Sequence, residues 1–475
     1  MVSQKSMSNP NIVCISIDSA RADFSALHDP GASPMPFLSS LASEATVFEQ
    51  AISPSVFTLP VHTSVFTGLF PLEHGIFWEG NALGDHPTFA ELLADNGYET
   101  TAFYNNSWLD TGNILRGFET KNNQNTHKSS DKSKLAEFGE KLQSVSNSAF
   151  SLAENAYSFQ DALRRWIRHS NPNYVDQGGA ETLQNVKSHP DTGDDPFCWF
   201  IHFNDAHFSG GYSAPHPYHK SYTDRSLIGL AYNQSVWNRR IYGSRLAKRE
   251  VIAGNIQPPH REVETFKNLY LGCLEYCDEL VKGVVDELKA RGEWDDTILV
   301  VFGDHGDSFG ERGVFGHHCS VDDSLIRVPL LIRDPDDRLH ESNTYGPVSL
   351  IDIYSTILEM VGISHPETKS QDLTRGSHER AFVHYHDKGT ETLPDTELAR
   401  LSDDLPPQRM YAAWESSESK IIWYPDEDEY EIQGPRGDQL KDILHDHMEG
   451  LSEIEPANQG IDRDTRSRLQ DMGYL

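Results

Sequence analysis

The sequence of 475 residues predicts an α/β protein in which buried parallel strands alternate with amphipathic helices. Two observations lead to this fold class. Short apolar runs recur along the chain and end abruptly in polar clusters, which is typical of strands buried on both faces of a sheet. Between these runs, apolar residues recur at helical spacing. The length allows one large domain or two, with ample material for a buried core.

Four apolar runs are predicted to be strands of one sheet. They cover residues 12–17, 100–104, 197–203 and 297–302, and they run into Asp18, Asn105-Asn106, Asn204 to His207, and Gly303 to Gly306. In open α/β sheets the ligand site lies beyond the carboxyl ends of the strands. Four strand ends rich in Asp, Asn and His therefore predict one shared pocket.

The remaining pattern divides the chain into a large and a small domain. Helices are expected at 266–289, ending before Gly292, and at 349–361, starting from a capping Ser349. Residues 121–195 are rich in Ser, Asn and Gln and are interpreted as an insertion or lid with one helix near 152–167. We expect a catalytic domain over 9–365 and, after a polar linker, a smaller domain over 376–475, with strands at 381–384, 410–414 and 420–424.

Composition limits the partners and the compartment. Asp and Glu number 72 against 40 Lys and Arg, for a formal net charge of −32, so nucleic acid and anionic membranes are excluded as primary partners. No run approaches the ~20 apolar residues of a membrane span. The polar N-terminus and five cysteines without paired spacing predict a cytoplasmic protein with no cleaved leader. The acid excess is typical of a salt-adapted surface.

The sharpest chemical signal is the pair Asp304-His305 at a predicted strand end. A carboxylate beside an imidazole suits a divalent metal, whereas the alternative is a turn in which Asp304 merely caps a helix. The two interpretations are about equal for the pair alone. Asp18, at the end of another strand, favours the metal because it offers a third ligand.

Thr58 is predicted to start a helix, with Pro60 in its first turn. Its hydroxyl is either a plain helix cap or, beside a metal, an activated nucleophile. His207 follows a predicted strand. His317 and His318 are neighbours in the sequence and could bind a metal, donate hydrogen bonds to an oxyanion or simply lie in a loop.

Taken in order, these motifs resemble the sulfatase family of the alkaline-phosphatase-like superfamily. The motifs are Asn11 to Asp23, Thr58 to His62, Thr67 to Pro71 with His74-Gly75, Asp205-Ala206-His207, Gly303 to Asp307, Gly313 to Gly316, Ile326 to Ile332, and Met472 to Leu475. The resemblance implies an α/β/α sandwich around a mixed, largely parallel sheet, followed by a smaller C-terminal α+β domain. It also implies sulfate- or phosphate-ester chemistry.

The resemblance assigns roles to individual residues. Asp18, Thr58, Asp304 and His305 match the ligands of one divalent metal ion (Ca, Mg, Mn or Zn), and Thr58 matches the nucleophile. The groups that bind the ester oxyanions or protonate the leaving group are matched by His207 and one of His317 and His318. The substrate is then a small-molecule, glycan or lipid ester.

Three positions depart from the usual family pattern. Thr58 stands where sulfatases carry a Cys or Ser that becomes formylglycine, so either the Thr hydroxyl itself acts or the protein is inactive. His62 replaces an Arg, and Ser19 replaces a second Asp ligand. This set looks more like the Thr-nucleophile phosphodiesterase and phosphoglycerol-transferase branches. Two alternatives remain: a non-catalytic protein that binds an anionic sugar or lipid head group, and a two-metal phosphatase that also uses Asp205, His207 and His318.

Overall fold

The computed structural model describes residues 9–25, 34–122, 147–176, 178–190, 195–208, 211–242, 254–339, 346–387 and 407–452, with residues 27, 193, 250–251, 454–455, 457–458 and 465. The strands are β1 (Asn11–Ile17), β2 (Thr46–Val47), β3 (Ala51–Ile52), β4 (Asn81–Ala82), β5 (Glu99–Phe103), β6 (Thr120–Asn122), β7 (Phe197–Phe203), β8 (Thr297–Gly303), β9 (Ser308–Phe309), β10 (Phe315–Gly316), β11 (Leu330–Arg333), β12 (Val348–Ser349), β13 (Ala381–His386), β14 (Arg409–Ser416), β15 (Ser419–Tyr424), β16 (Glu429–Gln433) and β17 (Ala457–Asn458).

The helices lie between these strands. They are α1 (Pro36–Leu41), α2 (Thr58–Thr67), α3 (Pro71–His74), α4 (Phe89–Asp95), α5 (Asn147–His169), α6 (Gly179–Ser188), α7 (Leu227–Tyr232), α8 (Arg239–Tyr242), α9 (His260–Arg291), α10 (Asp323–Ile326), α11 (Asp352–Met360) and α12 (Gly437–Glu449).

A seven-stranded sheet forms the centre, in the order β2-β11-β8-β1-β7-β5-β6. Strand β1 runs parallel to both β7 and β8, and β5 runs parallel to β7 and β6. Only β11 reverses direction, because it pairs antiparallel with β8 and β2. The expected mixed, largely parallel sheet is confirmed, and its four predicted strands lie within one or two residues of β1, β5, β7 and β8.

Helices cover both faces of this sheet, so the sandwich is also confirmed. Alternate residues of a strand point to opposite faces. On β1, Val13 and Ile15 pack in one apolar cluster with Phe266 and Cys273 of α9. Their neighbours on the strand, such as Ile12, pack in a second cluster with residues of α2, α4 and α11.

The predicted start of the helix at 349–361 is wrong. Ser349 ends strand β12, and α11 begins only at Asp352. The carboxylate of Asp352 accepts hydrogen bonds from the backbone N–H of Ser349 (2.8 Å) and of Gln371 (2.8 Å). An aspartate inside the first turn therefore ties down the chain before the helix, a contact that helical periodicity does not reveal.

The C-terminal part contains a four-stranded antiparallel sheet, β13-β14-β15-β16, as expected. One face, with Val383 and Ala412, packs against Phe57 and Leu325 of the larger part. The other face packs against Leu440 and Leu444 of α12. Strand β16 and helix α12 were not predicted, and the domain boundaries at 365 and 376 stay a prediction.

Within the described ranges, no helix combines the length and the apolar character that crossing a bilayer requires. Helices α5 and α6 lie in the region interpreted as an insertion, and most of its first half falls outside the described residues.

Candidate active site

Two neighbouring strand ends bring together a compact group of metal-ligating side chains. Asp18 follows β1, whereas Asp304 and His305 follow β8, and Ile17 pairs with Gly303 in the parallel ladder between them. One ligand atom from each side chain lies within 4.8 Å of the others, and all three side chains are fully buried. The register of two adjacent strands thus places residues nearly three hundred positions apart in one site.

Hydrogen bonds orient this group and leave acceptor atoms directed at its centre. Asp304 Oδ1 accepts the backbone N–H groups of Ser19 (2.9 Å) and His305 (2.7 Å), and Oδ2 has no hydrogen-bond partner among the described residues. His305 Nδ1 lies 2.9 Å from the carbonyl oxygen of Gly306. Since a carbonyl only accepts, Nδ1 carries the proton and Nε2 keeps its lone pair. That Nε2 lies 3.7 Å from both Asp18 Oδ1 and Asp304 Oδ2.

The two carboxylates have opposite pKa shifts. Burial opposes ionisation of Asp18, but His207, His202 and His305 together outweigh it and hold its pKa well below its usual range. Burial and the charge of Asp18 raise the pKa of Asp304 well above its usual range. Two buried carboxylates this close repel each other unless a proton or a cation lies between them. The unpaired acceptors and this repulsion fit a divalent cation.

Thr58 is placed beside Asp18 by the start of helix α2. The helix starts at Thr58 as predicted, but the extended Phe57 occupies the N-cap position, so the alternative that the Thr58 hydroxyl is a plain helix cap fails. Its Oγ1 instead donates to Asp18 Oδ2 at 3.3 Å. The hydroxyl therefore lies at a helix N-terminus, next to the carboxylate cluster, and it is only 5% exposed.

His62 lies one helical turn after Thr58 and behind it, away from solvent. Its Nδ1 donates to the carbonyl oxygen of Thr58 (2.8 Å), and its Nε2 accepts from the hydroxyl of Ser16 (2.9 Å). Burial lowers the pKa of His62 to about 3, so the ring is a neutral imidazole with both nitrogens hydrogen-bonded. The structure thus places His62 against the backbone of Thr58.

Three further histidines were predicted, and two of them face the cluster. The ring centroid of His317 lies 4.6 Å from that of His305 and 5.1 Å from that of His207. His318 is half-buried and packs on the rings of Phe57 (5.0 Å) and His317 (4.9 Å). Of the adjacent pair, His317 is therefore the one nearer to Asp18 and His305.

Two residues that contact Asp18 were not singled out from the sequence. Asn106 Nδ2 donates to Asp18 Oδ2 at 3.0 Å, and His202 Nε2 lies 3.3 Å from the same oxygen. Asn106 belongs to a strand end that was expected to reach the pocket. His202 lies inside β7 opposite Ser16, and its signal was a histidine within an otherwise apolar run.

Asp307 was also missed as a site residue, although it belongs to a recognised motif. Its Oδ1 lies 3.8 Å from His317 Nδ1, and its Oδ2 accepts a hydrogen bond from the hydroxyl of Tyr212. The buried Asp307 thus faces one of the histidines that approach the cluster.

Comparisons with known proteins agree with this architecture. The sulfatase family model matches residues 10–363, which is most of the chain. The chain belongs to the sulfatase family. Its relatives include the uncharacterized sulfatase YidJ of Escherichia coli, 22% identical over 76% of this chain and 69% of that protein. The ulvan-active sulfatase of Formosa agariphila is 24% identical over 78% of this chain and 65% of its own length.

Solved structures share the fold at low sequence identity. The phosphonate monoester hydrolase of Silicibacter pomeroyi superposes with a TM-score of 0.66 at 19% identity, covering 95% of this chain and 99% of that one. This likeness extends the family's fold over the antiparallel C-terminal sheet.

In this member of the sulfatase family, aromatic side chains surround the cavity above Thr58. The cavity is lined by Phe57, Thr58, Leu59, Phe77, Trp78, Trp108, His207 and His317. Trp78 Nε1 donates to the backbone oxygen of His386, and Phe77 stacks on the His386 ring with centroids 3.9 Å apart. The C-terminal sheet therefore supports one wall of the cavity.

The two-metal arrangement does not form among the described residues. Asp205 turns towards the start of α6, where it accepts the backbone N–H of Gly179 at 3.3 Å. Among the described residues, three metal-ligating side chains converge at Asp18, Asp304 and His305, and no second such group forms around Asp205 or His318.

Proposed function

We propose that this chain is a hydrolase or transferase of sulfate or phosphate esters that uses the Thr58 hydroxyl as nucleophile beside one divalent cation. The observation that carries the proposal is the hydrogen bond from Thr58 Oγ1 to Asp18 at the edge of an aromatic cavity. The family supports the reaction class, and the site geometry supports the assignment of the residues.

Asp18, Asp304 and His305 are the residues that would hold the cation, and the Thr58 hydroxyl lies beside this group. They offer two carboxylates and one imidazole whose proton is on the far nitrogen, which is a donor set suited to zinc, manganese or magnesium. When bound, a divalent cation supplies charge stabilisation for the ester oxygens and lowers the pKa of a nearby hydroxyl.

The chain's own residues account for the remaining steps. Thr58 Oγ1 is oriented by its hydrogen bond to Asp18 Oδ2, 3.3 Å away, and loses its proton to solvent as it forms a bond to the phosphorus or sulfur of the ester. The bond to the leaving oxygen breaks, and that oxygen takes a proton from His317 or His207, in the protonated imidazolium form, both of which line the cavity. Water then hydrolyses the ester on Thr58, or another alcohol accepts the group.

Other residues keep Thr58 and Asp18 in position. His62 holds the Thr58 carbonyl, and Asn106 and His202 contact the Asp18 oxygen that accepts the hydrogen bond from Thr58. The positive end of the α2 dipole lies where negative charge gathers during the transfer. Because these groups are buried, their orientation is fixed before substrate arrives.

We place phosphate esters, including phosphodiesters, ahead of sulfate esters as substrates. The reason is that Thr58 cannot be converted to formylglycine, so the enzyme must release its product from an ordinary Thr ester. Efficient turnover of aryl sulfates with little activity on phosphodiesters would overturn this preference.

The test of the proposed function compares Thr58→Ala with a matched control, Thr63→Ala. Thr63 is a buried threonine of the same helix whose hydroxyl donates to the carbonyl of Leu59 at 2.7 Å. Both variants are assayed with phosphomonoesters, phosphodiesters and sulfate esters in the presence of Mg²⁺, Ca²⁺, Mn²⁺ or Zn²⁺. We expect Thr58→Ala to lower kcat by about 10³-fold or more, whereas Thr63→Ala stays close to wild type once its stability is allowed for.

The second candidate function is a binding protein for an anionic sugar or lipid head group. Its supporting observation is the neutral His62, because the family's Arg at this position would supply a permanent positive charge. Metal analysis separates the two functions: a purified protein that binds anions without metal, and whose binding Asp18→Ala does not change, would favour this candidate. Equal activity of wild type and Thr58→Ala with every metal would do the same.

A further inference from the structure

We propose that a cationic subsite formed by Arg165 and Arg168 binds a second anionic group of the substrate, separate from the ester that reacts. The preferred substrate is then an ester that also carries a carboxylate or a second sulfate or phosphate group. This inference rests on the proposed function and names its substrate class.

The subsite is a second cavity that adjoins the aromatic one. His207 lines both cavities. Arg165 and Arg168 line it from the C-terminal end of α5, and Asn105 and Asn204 line it from the ends of strands β5 and β7. A molecule whose ester lies at Thr58 can therefore extend past His207 towards the two guanidinium groups.

Arg168 supplies positive charge near the site in a strongly acidic protein. Arg168 has no carboxylate partner among the described residues, and its guanidinium lies 5.8 Å from the ring centre of Tyr174. Arg165 lies 3.7 Å from Asp161, whose side chain is 52% exposed. Such a surface pair contributes little and is easily exchanged for another anion. In a chain with a net charge of −32, a guanidinium without a carboxylate partner among the described residues is a local source of positive charge near the site.

The acidic residues that line the same cavity accept hydrogen bonds from groups in its floor. Asp176 accepts the backbone N–H groups of Gly178 (2.8 Å) and Ala180 (3.2 Å) and the hydroxyl of Tyr276. Burial and the charge of Asp176 raise the pKa of Asp205 well above its usual range. The raised pKa of Asp205 lessens the negative charge that this cavity sets against the two guanidinium groups. The amides of Asn105 and Asn204 add donors.

The two cavities together describe one substrate. The face of a sugar or an aryl ring suits the tryptophans above Thr58, because these side chains offer flat apolar surfaces. A planar guanidinium binds carboxylate, sulfate or phosphate oxygens in pairs, which favours arginine over lysine at such a place. A ring that carries the reacting ester on one side and a second anion on the other satisfies both.

The experiment compares a simple aryl ester with a dianionic aryl ester that differs from it only by a second anionic group. The dianionic ester is prepared in two forms, one with a carboxylate and one with a sulfate as the second group. The variants are Arg165→Gln and Arg168→Gln, and the control is Arg164→Gln. Arg164 is an exposed residue of the same helix that does not line the cavity. The Arg164→Gln substitution changes net charge and helix propensity by the same amount as each of the two cavity variants.

We expect each cavity variant to raise KM about tenfold for the dianionic ester, with little change for the simple ester. The control should leave both KM values within about twofold, since Arg164 does not line the cavity and its charge acts on the substrate only through the screened field. A dianionic ester that is not preferred over the simple one overturns the subsite. Equal effects of Arg168→Gln and Arg164→Gln overturn it as well.

Failure of the subsite and failure of the proposed function remain distinguishable. Turnover of the simple ester that depends on Thr58 supports the function whatever the arginine variants do. If no ester is turned over, calorimetric binding of the dianionic ester to Thr58→Ala protein still tests the subsite, because that protein keeps both arginines. A Kd that Arg168→Gln leaves unchanged in this background overturns the inference. The carboxylate and sulfate arms show which anion the subsite takes.

Discussion

Replacing His62 by phenylalanine tests whether this residue positions Thr58 or takes part in proton transfer. Phenylalanine keeps an aromatic ring in a site that is fully buried and surrounded by Phe66, Phe200 and Phe302. It removes two hydrogen bonds, of 2.8 Å to the Thr58 carbonyl and 2.9 Å to the Ser16 hydroxyl. Because the substitution keeps most of the volume, the loss of these bonds dominates its cost.

The magnitude follows from the buried polar groups that lose their partner. The Ser16 hydroxyl would be left in an apolar surrounding without its acceptor, which costs about 1–3 kcal/mol. The Thr58 carbonyl loses one of its donors at a similar or smaller cost. We expect His62→Phe to lower the free energy of unfolding by about 2–3 kcal/mol. His62→Ala should cost more, about 4 kcal/mol, since it also leaves a cavity.

A second buried histidine provides the control. His74 Nε2 lies 3.1 Å from the Ser64 hydroxyl and its Nδ1 accepts the backbone N–H of Ile76, and its side chain does not line the cavity above Thr58. His74→Phe should therefore lose similar stability. Unfolding in urea measures stability for both, and kcat is measured where each variant is fully folded.

The expected result is that both variants lose stability but only His62→Phe lowers kcat, with KM little changed. The physical reason is that a shifted Thr58 carbonyl moves the hydroxyl relative to Asp18, and small misplacements of a reacting group are costly. If His62→Phe keeps full stability and loses activity, the residue acts chemically and the positioning argument is refuted. If His62→Phe keeps both its stability and its activity, the two hydrogen bonds of His62 contribute to neither.

Three further predictions concern stability, metal binding and salt. Burial opposes protonation of His378, but the hydrogen bond to Asp352 at 2.9 Å outweighs it and raises the pKa of His378. Its contribution is therefore complete below its unfolded pKa of about 6.5 and lost as pH rises through the folded value. His378→Gln should cost about 1–3 kcal/mol in urea unfolding near pH 5.5 and less near pH 9, and a cost that grows with pH would contradict this. A Cβ at Gly306 would overlap the backbone oxygen of Ser324, so Gly306→Ala should displace the loop after His305 and lower metal affinity about 10- to 100-fold in equilibrium dialysis. Unchanged metal content at limiting metal would refute that. Finally, hydrolysis of a simple anionic ester should rise with added salt, because screening weakens repulsion from the net charge of −32. Activity that is maximal in dilute buffer and falls steadily with salt would count against it.

Local pattern in the sequence was enough to predict the frame of the site. Four apolar runs ending in polar clusters are strands of the central sheet, because a strand buried on both faces leaves a continuous apolar signature. The rule that ligands bind at the carboxyl ends of such strands then directed attention to Asp18, Asp304 and His305, which the structure brings together. Helix α9 was also recognisable from its apolar stripe and Gly292.

Errors in the prediction arose where a side chain had a local and a distant partner to choose from. Thr58 and Ser349 are both residue types that often cap helices. In the structure the Thr58 hydroxyl instead donates to Asp18, and the backbone N–H of Ser349 donates to Asp352. Propensity describes only the local choice, and a buried carboxylate across the fold can outweigh it.

The α/β class, four strands of the central sheet and the types of residue at their ends follow from periodicity within a few neighbours, so they can be predicted from the amino-acid sequence. The three-dimensional fold was needed to show that His62 supports Thr58, that His202 and Asn106 contact Asp18, and that Arg168 lines a cavity shared with His207. These relations join residues far apart in sequence. They depend on strand order, on register and on which face of an element is covered. These properties are not encoded by short stretches of the amino-acid sequence.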